Sequence, residues 1–448
     1  MVGKHKTKVL FFAYHFPPAS GPGVQRSQRF VQYLPTHGYL PIVVTAPHPD
    51  PSSCFSDEKL LAGFIQDIRI LRVASAVPSQ DSETLRRAAR WLGLRSSFSH
   101  WWVDSATTVA RIAAKNENIS LVFATMSPFE TALAASRVAH ELGVPWVADL
   151  RDPWALDEVR TYPSLIHRKL EIARMERQLS SASAIILNTP EATAVFRAAF
   201  PRLSDKEILT ITNGFDAHDF EIPAHGDRHT TFSIVHAGGM LTSAATHGYT
   251  KYLHRLLRGT EMHADLFTRS PAFLLQAVDR WCEMDPAVRE RLQILFAGNN
   301  SQEERHLAAR SNVSTLVTFL GYLSHEQSLQ LIRGADVLFL PMHNVSPGQR
   351  ARSVPGKTYE YMASGRPILA AVPEGDTRDF LQSCGTALIC CPHDVEGMTE
   401  ILRRLYSRWE ARQAAPAPDA QYIRRFEVQE LTGTLAKVFD ALMGGRPT

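Results

Sequence analysis

Ser353-Val-Pro-Gly-Lys-Thr-Tyr-Glu-Tyr-Met-Ala-Ser-Gly-Arg-Pro-Ile-Leu-Ala-Ala-Val372 reads as loop, short helix and buried strand. Pro355 and Gly356 lead into about two helical turns, Gly365 closes them, and Pro367 bars their continuation. Ile368 to Val372 then make an apolar strand run. Unpaired N–H groups at a helix start favour anions, and Lys357 sits in the first turn. Glu360 follows one turn on, where a carboxylate can accept hydrogen bonds from a sugar's vicinal hydroxyls. A lysine for phosphate and a glutamate for ribose outline a nucleotide cradle. An ordinary surface helix with a charged face is the alternative at this point.

The rest of the chain supplies context. It has 448 residues, 44% of them hydrophobic and 21% charged, with a formal net charge of +3. That is globular composition, long enough for two or three domains. The charge balance is too mild to demand nucleic acid, but it favours an anionic substrate or an anionic membrane surface. Cys54, Cys282, Cys384, Cys390 and Cys391 show no CxxC or Cys/His ligand spacing, as expected of reduced thiols in a cytosolic protein. No stretch reaches the ~18 apolar residues of a membrane span. The run Val9–Tyr14 is too short for a signal peptide and reads as a first buried strand.

Working outward, strand-like runs at 8–14, 41–46, 68–73, 120–125, 145–149, 184–188 and 208–212 alternate with helical patterns from 24 and at 129–142, 164–181 and 191–200. After a polar linker at 217–229 the alternation resumes. Strands are expected at 232–237, 292–297, 316–320, 335–340 and 386–389. Helices are expected at 271–281, 303–311, 324–334 and 395–412, with a last amphipathic helix over 422–443. Residues 242–268 interrupt the pattern as an insertion without an assigned role. Short apolar strands alternating with amphipathic helices predict parallel sheets covered on both faces, with ligands at the carboxyl ends of the strands. Two such domains joined by a short linker imply a cleft between them.

Three further stretches stand out. Ser20-Gly-Pro-Gly-Val-Gln-Arg26 follows the first strand, but Arg26 occupies the last glycine position of a dinucleotide fingerprint. Strand two also ends in Thr45-Ala-Pro47 with no acidic residue, which argues against NAD. What remains is a Gly-rich loop that brings N–H groups near a phosphate or sugar, or merely a tight turn. Asp149-Leu-Arg-Asp-Pro-Trp154 places three charges and an indole at a strand's carboxyl end. Such charges are expensive unless paired or used. Asp149 is a candidate for a substrate hydroxyl and Trp154 for a sugar face; an internal Asp–Arg pair is the alternative. Finally, residues 77–115 interleave Arg86, Arg87, Arg90, Arg95 and Lys115 with Trp91, Phe98, Trp101 and Trp102. This composition suits a membrane interface or a lipid-linked acceptor, or a helical hairpin packed on its own domain.

In this order and spacing the chain resembles the two-domain GT-B glycosyltransferases of the large retaining group called family 4. The markers are Phe16-Pro-Pro18, Gly21-Pro-Gly23, Arg26, Asp149–Trp154, Asn213-Gly-Phe-Asp216, Ala237-Gly-Gly239, Ala297-Gly-Asn299, Phe319-Leu-Gly321 and Lys357–Pro367. The resemblance implies an α/β GT-B fold with two Rossmann-like domains facing a central cleft. It places an acceptor-binding domain over 1–216, a nucleotide-sugar donor domain over 230–412, and a helix within 420–448 crossing back to the first domain. It implies that Lys357, the N–H groups near Gly356 and Arg269 hold the diphosphate and that Glu360 holds the ribose. Gly321 and Tyr322 would line the base pocket. Gly21, Gly23, Arg26, Gly238, Gly239, Asn299 and Thr358 join the donor set. Asp149, Arg151 and Asp152 would lie near sugar and acceptor as catalytic candidates.

One departure concerns the sugar. The family often carries a second glutamate eight positions before the first, and here that position is Arg352, so Arg352, Gln349 or Arg350 would contact the sugar or diphosphate instead. The implied activity is retaining transfer of a sugar from a nucleoside diphosphate to a saccharide or lipid-linked saccharide of a surface glycan. No metal or other cofactor is expected, since Lys, Arg and helix N–H groups can neutralise the leaving diphosphate. The expected location is cytoplasmic, at the inner face of the membrane. A sugar-nucleotide epimerase of the same fold, or a non-catalytic nucleotide-sugar-binding protein, are the alternatives.

Overall fold

The computed structural model of the chain describes residues 6–19, 22–48, 58–61, 64, 68–74, 96–221, 230–242, 257, 259 and 264–444. The chain divides into two compact units. One is Met1–Asn213 with His254–Thr260 and Val428–Thr448; the other is Gly214–Leu253 with Glu261–Glu427.

In the first unit, strands β1 (Thr7–Ala13), β2 (Tyr39–Thr45), β3 (Arg69–Arg72), β4 (Ile119–Met126), β5 (Trp146–Leu150), β6 (Ala184–Leu187) and β7 (Glu207–Thr210) form one parallel sheet. Its order is β3-β2-β1-β4-β5-β6-β7. Alternation along β1 feeds two apolar layers. Val9, Phe11 and Ala13 enter one layer, and Leu10 and Phe12 the other, with Tyr14 continuing the alternation just past the strand end. Helices α1 (Pro22–Tyr33), α2 (Ser97–Asn116), α3 (Thr131–Leu142), α4 (Leu165–Leu179) and α5 (Pro190–Ala199) also belong to this unit.

Helix α2 decides part of the basic–aromatic segment. Trp102 is fully buried and its Nε1–H donates to Thr131 Oγ1 of α3 at 2.9 Å, while Phe98 and Trp101 pack on the same core. Trp102 therefore faces its own domain, and Phe98 and Trp101 are half-buried against it. Arg86, Arg87, Arg90, Trp91 and Arg95 lie outside the described residues.

In the second unit, β8 (Phe232–Ala237), β9 (Leu292–Ala297), β10 (Val317–Gly321), β11 (Val337–Pro341), β12 (Ile368–Ala371) and β13 (Ala387–Cys390) form a parallel sheet in the order β10-β9-β8-β11-β12-β13. Its helices are α6 (Ala272–Met284), α7 (Gln302–Ala309), α8 (His325–Gly334), α9 (Lys357–Ser364), α10 (Asp376–Ser383), α11 (Val395–Glu410) and the short α12 (Ala420–Arg424). Both α7 and α8 open with complete capping boxes, Ser301 with Glu304 and Ser324 with Gln327. Helix α10 has no counterpart in the sequence reading. It starts after Gly375, at φ +140°, where an added Cβ would press on the backbone of Ala351.

The final helix expected over 422–443 is two helices. After α12, Phe426 packs its ring against Tyr359 and Phe380, and its carbonyl accepts from Phe215 N–H at 3.0 Å. This anchorage to the second unit breaks the helix. Helix α13 (Val428–Gly444) then joins the first unit, burying Leu435 and Phe439 in the layer of Phe11.

The inserted segment also reaches the first unit. Tyr162 and Leu165 donate backbone N–H bonds to Gly259 O (3.0 Å) and Leu257 O (2.9 Å). Among the described residues, no helix is long and apolar enough to cross a membrane.

Candidate functional site

In each sheet the strand order reverses at one point, between β1 and β4 and between β8 and β11. Ligands of open parallel sheets bind outside the carboxyl ends at such points. The two points carry different chemistry here.

In the first unit the charges are spent internally. Asp149, at the carboxyl end of β5, is 0% exposed, and its oxygens are held by Arg26 Nε (3.2 and 3.0 Å) and Nη2 (2.7 Å). The other Arg26 donors go to Thr212 O (2.7 Å), Ile211 O (2.9 Å) and Asn213 Oδ1 (3.4 Å). All five guanidinium N–H groups are thus engaged. Arg26 ties α1 to β5 and to the chain leaving β7, so it is a brace rather than a donor ligand. Asp149 likewise has no reach to a substrate hydroxyl.

Gly23 lies inside α1, which begins at Pro22, and makes room for Arg151 rather than for a phosphate. An added Cβ would stand 2.8 Å from Arg151 Nη1, whose N–H donates to the Gly23 carbonyl. Arg151 Nε donates to Met126 O at 3.0 Å. Burial lowers the Arg151 pKa, which Asp152 and Asp149 oppose and Arg26 reinforces. Trp154 does not present a face to a sugar. It is buried, stacked on Phe129 at 4.8 Å, and its Nε1–H donates to Glu171 Oε1 at 2.9 Å. Its φ of +50° is a conformation a bulky residue rarely adopts. Asp152 alone of the three catalytic candidates is exposed. Gly21 lies outside the described residues.

The second unit is arranged differently. Lys357 begins α9, and its Nζ lies 2.9 Å from His236 Nε2 on β8. His236 Nδ1 lies 2.9 Å from Phe339 O on β11. A carbonyl can only accept, so Nδ1 carries the proton and Nε2 presents its lone pair to the lysine ammonium. Burial, and then the neighbouring Lys357, hold the His236 pKa well below its usual range, which keeps the ring neutral. Burial and Arg269 likewise depress the Lys357 pKa, against the pull of Glu360 and Glu304. Arg269 is itself lowered by burial. Among the described residues neither cation is ion-paired to a carboxylate.

Glycines shape the floor of this arrangement. Gly238 has φ +123°, and a Cβ there would meet Lys357 Nζ at 2.5 Å. Gly298, φ +126°, lies against the Gly238 backbone, where a Cβ would stand 2.9 Å from its carbonyl carbon and oxygen. The Gly298 N–H donates to Gly321 O at 2.7 Å, so the ends of β8, β9 and β10 are drawn together. Beyond Gly321, Tyr322 is 44% exposed, and Asn299 is exposed beside Gly298. Gly239 borders open space.

Glu360 lies one turn into α9, 3.9 Å from His325 Nδ1, and His325 Nε2 is 2.9 Å from Asp219 Oδ2. Gly356 is the exposed residue before α9. Thr358 is not available to a ligand, because it is fully buried with its hydroxyl shut off from solvent. Arg352 is 8% exposed, and its neighbours pin it: Ala351 N–H donates to Glu374 O at 2.8 Å and Thr377 Oγ1–H to Ser353 O at 3.1 Å.

The sequence reading missed His236, His325 and Asp219. A lone histidine in the apolar run Phe232–Ala237, directly before Gly238-Gly239, was the available signal. Nothing local marked Asp219 and His325, which lie 106 positions apart.

Two parallel sheets of Rossmann order with a last helix returning to the first unit define the GT-B fold. Anabaena HepE, solved in complex with UDP and glucose, shares that fold. It superposes with a TM-score of 0.58 at 15% identity, covering 97% of this chain and 100% of that one. Residues 269–408, most of the second unit, match the family model described as Glycosyl transferases group 1. The chain thus has the GT-B fold, and residues 269–408 are similar to the glycosyl transferases group 1 family.

Similar curated proteins include the D-inositol 3-phosphate glycosyltransferase of Saccharomonospora viridis, 27% identical over 39% of this chain and 40% of that protein. The protein of the same name from Corynebacterium urealyticum is 24% identical over 67% of this chain and 69% of that one. The chain thus spans less than half the length of the first of these relatives.

Proposed function

We propose that this chain transfers a sugar, with retention of configuration, from a nucleoside diphosphate donor bound on the second unit. The observation that carries the reading is the pair Lys357 and Arg269, two partly desolvated cations facing each other's charge without an ion-paired carboxylate. Burying like charges together is unfavourable unless an anion completes the site. A diphosphate supplies it, held by Lys357, Arg269 and the N–H groups at the start of α9. Glu360, steadied by His325, takes the ribose hydroxyls. As the diphosphate leaves, these cations offset the charge growing on its oxygen, so the step needs no metal.

The first unit takes the acceptor, a saccharide or lipid-linked saccharide of a surface glycan, at the inner face of the membrane. Names of the curated relatives add inositol 3-phosphate as an acceptor to try. The UDP and glucose of the HepE complex make UDP-sugars the first donors to test.

A thermal-shift screen of nucleotide sugars tests the reading, because stabilisation grows as RT ln(1 + [L]/Kd). A genuine donor raises the midpoint of the wild-type chain, and Lys357→Ala and Glu360→Ala abolish the rise while the fold persists. A flat response to every donor sinks the proposal.

A further inference from the structure

A second cavity lies at the opposite edge of the same sheet. It opens beside Phe232, the first residue of β8, between Asp336 and Pro367, which precede β11 and β12, and the end of α11 with the segment after it. Its interior measures about 150 Å³. The five residue steps of β8 separate it from the Gly238 edge by about 17 Å at roughly 3.3 Å each, so it is distinct from the donor site.

Two guanidiniums line this cavity. Arg366 follows Gly365, the left-handed residue that closes α9, and its backbone N–H is fixed by Ser364 Oγ at 3.2 Å. Its guanidinium has no hydrogen-bond or ion-pair partner among the described residues. Asp336 is near enough to favour the charge, but Asp336 Oδ2 already accepts from Ser233 N–H and Oγ–H, both at 2.9 Å. Arg408, in the last turn of α11, donates from Nη2 to Ala414 O at 2.8 Å, while its Nε is buried with no partner. Buried donors without acceptors are costly and call for an explanation. Burial also depresses Arg366, and Arg333 adds to that effect. Leu405, Trp409 and Phe232 supply large apolar side chains to the remaining wall, where Gln413 also stands. The carboxyl end of α11 disfavours an anion, so binding there rests on the two guanidiniums.

We propose that this cavity is a second ligand site, taking the oxyanion of a small phosphate or carboxylate whose apolar body packs against Phe232, Leu405 and Trp409. Arg366 and the free Nε–H of Arg408 hold the oxyanion.

Calorimetric titration of the Lys357→Ala chain, in which the donor cradle is disabled, tests it with phenyl phosphate, benzoate and inorganic phosphate. Saturable binding of phenyl phosphate or benzoate, tighter than inorganic phosphate, is expected, and the better of the two identifies the oxyanion. Adding Arg366→Gln or Arg408→Gln weakens it about tenfold or more, the scale of a lost charge-assisted hydrogen bond. The same arginine changes leave a single cooperative unfolding transition in chemical denaturation, which shows the fold is preserved. The proposal is overturned by absence of saturable binding in Lys357→Ala, or by equal binding when either arginine is replaced.

Discussion

Replacing Gly238 by alanine separates two costs that usually come together. The backbone there has φ +123°, a region glycine visits freely and other residues do not. Alanine at such a position stores about 1–3 kcal/mol of strain. Its Cβ would also stand 2.5 Å from Lys357 Nζ and 2.8 Å from Cε. Those atoms end a flexible chain and can swing aside, so the clash adds little to the loss of stability. Moving aside, however, takes the ammonium off His236 Nε2 and away from the proposed diphosphate position. Losing a charge-assisted hydrogen bond worth about 1.5–3 kcal/mol weakens donor binding roughly 10- to 150-fold. Chemical denaturation reads the first effect, and calorimetric titration with the UDP-sugar that stabilises the wild-type chain reads the second. An alanine variant that loses stability yet binds the donor with wild-type affinity would show that Lys357 is not the phosphate ligand.

Arg26→Ala should cost about 3–5 kcal/mol in denaturant unfolding, because it strands a fully buried Asp149 carboxylate; surviving folded protein should bind donor normally, and lost binding would restore Arg26 as a ligand. Asp157 has its pKa raised from 3.8 to about 6, first by burial and then by Asp152 and Glu158, against the bond from Val159 N–H. Its folded form holds the proton more tightly, so its contribution is full below pH 3.8 and lost as pH rises through about 6. Asp157→Asn should therefore stabilise the chain at pH 8, by at most about 3 kcal/mol, and change nothing near pH 3; equal effects at both would refute the assignment. His236 has the opposite linkage, because its folded pKa is lowered: its contribution is present above about pH 6.5 and declines as pH falls below it. His236→Phe should flatten that acid limb and weaken donor binding several-fold, and an unchanged limb would count against a buried neutral ring.

The fold was legible in the sequence because parallel strands buried on both faces are written as short apolar runs. Phe232–Ala237 and Leu292–Ala297 were readable to the residue, since Gly238 and Gly298 punctuate them. Helix α10 escaped notice because its polar sequence, Asp376–Ser383, has only Phe380 and Leu381 as large apolar residues, and its start depends on Gly375 meeting Ala351 across space. Amphipathic periodicity runs through 420–444, so the sequence reads as one last helix. Its break is a tertiary event, the docking of Phe426 on Tyr359 and Phe380. Lys357 and Glu360 could be picked out from one helix start, whereas the acceptor of the Lys357 bond sits 121 positions earlier.

The same signature, charges at the carboxyl ends of parallel strands, had opposite outcomes in the two units, and the difference is the reach of an opposite charge. Asp149 meets Arg26 at 2.7 Å, and with the backbone carbonyls of 211 and 212 and Asn213 Oδ1 it consumes every donor Arg26 offers. Lys357 meets a neutral imidazole and the field of a second cation instead. A histidine whose other nitrogen is fixed on Phe339 O accepts from the ammonium without neutralising it, so the positive charge is positioned and kept. An aspartate at 236 would anchor Lys357 more firmly and, by cancelling the charge, would remove the reason for the proposed anion to bind. His236→Asp should therefore stabilise the empty chain relative to His236→Phe yet bind donor no better. Donor affinity at or above wild type in His236→Asp would contradict the view that an unneutralised Lys357 is what the site is built to hold.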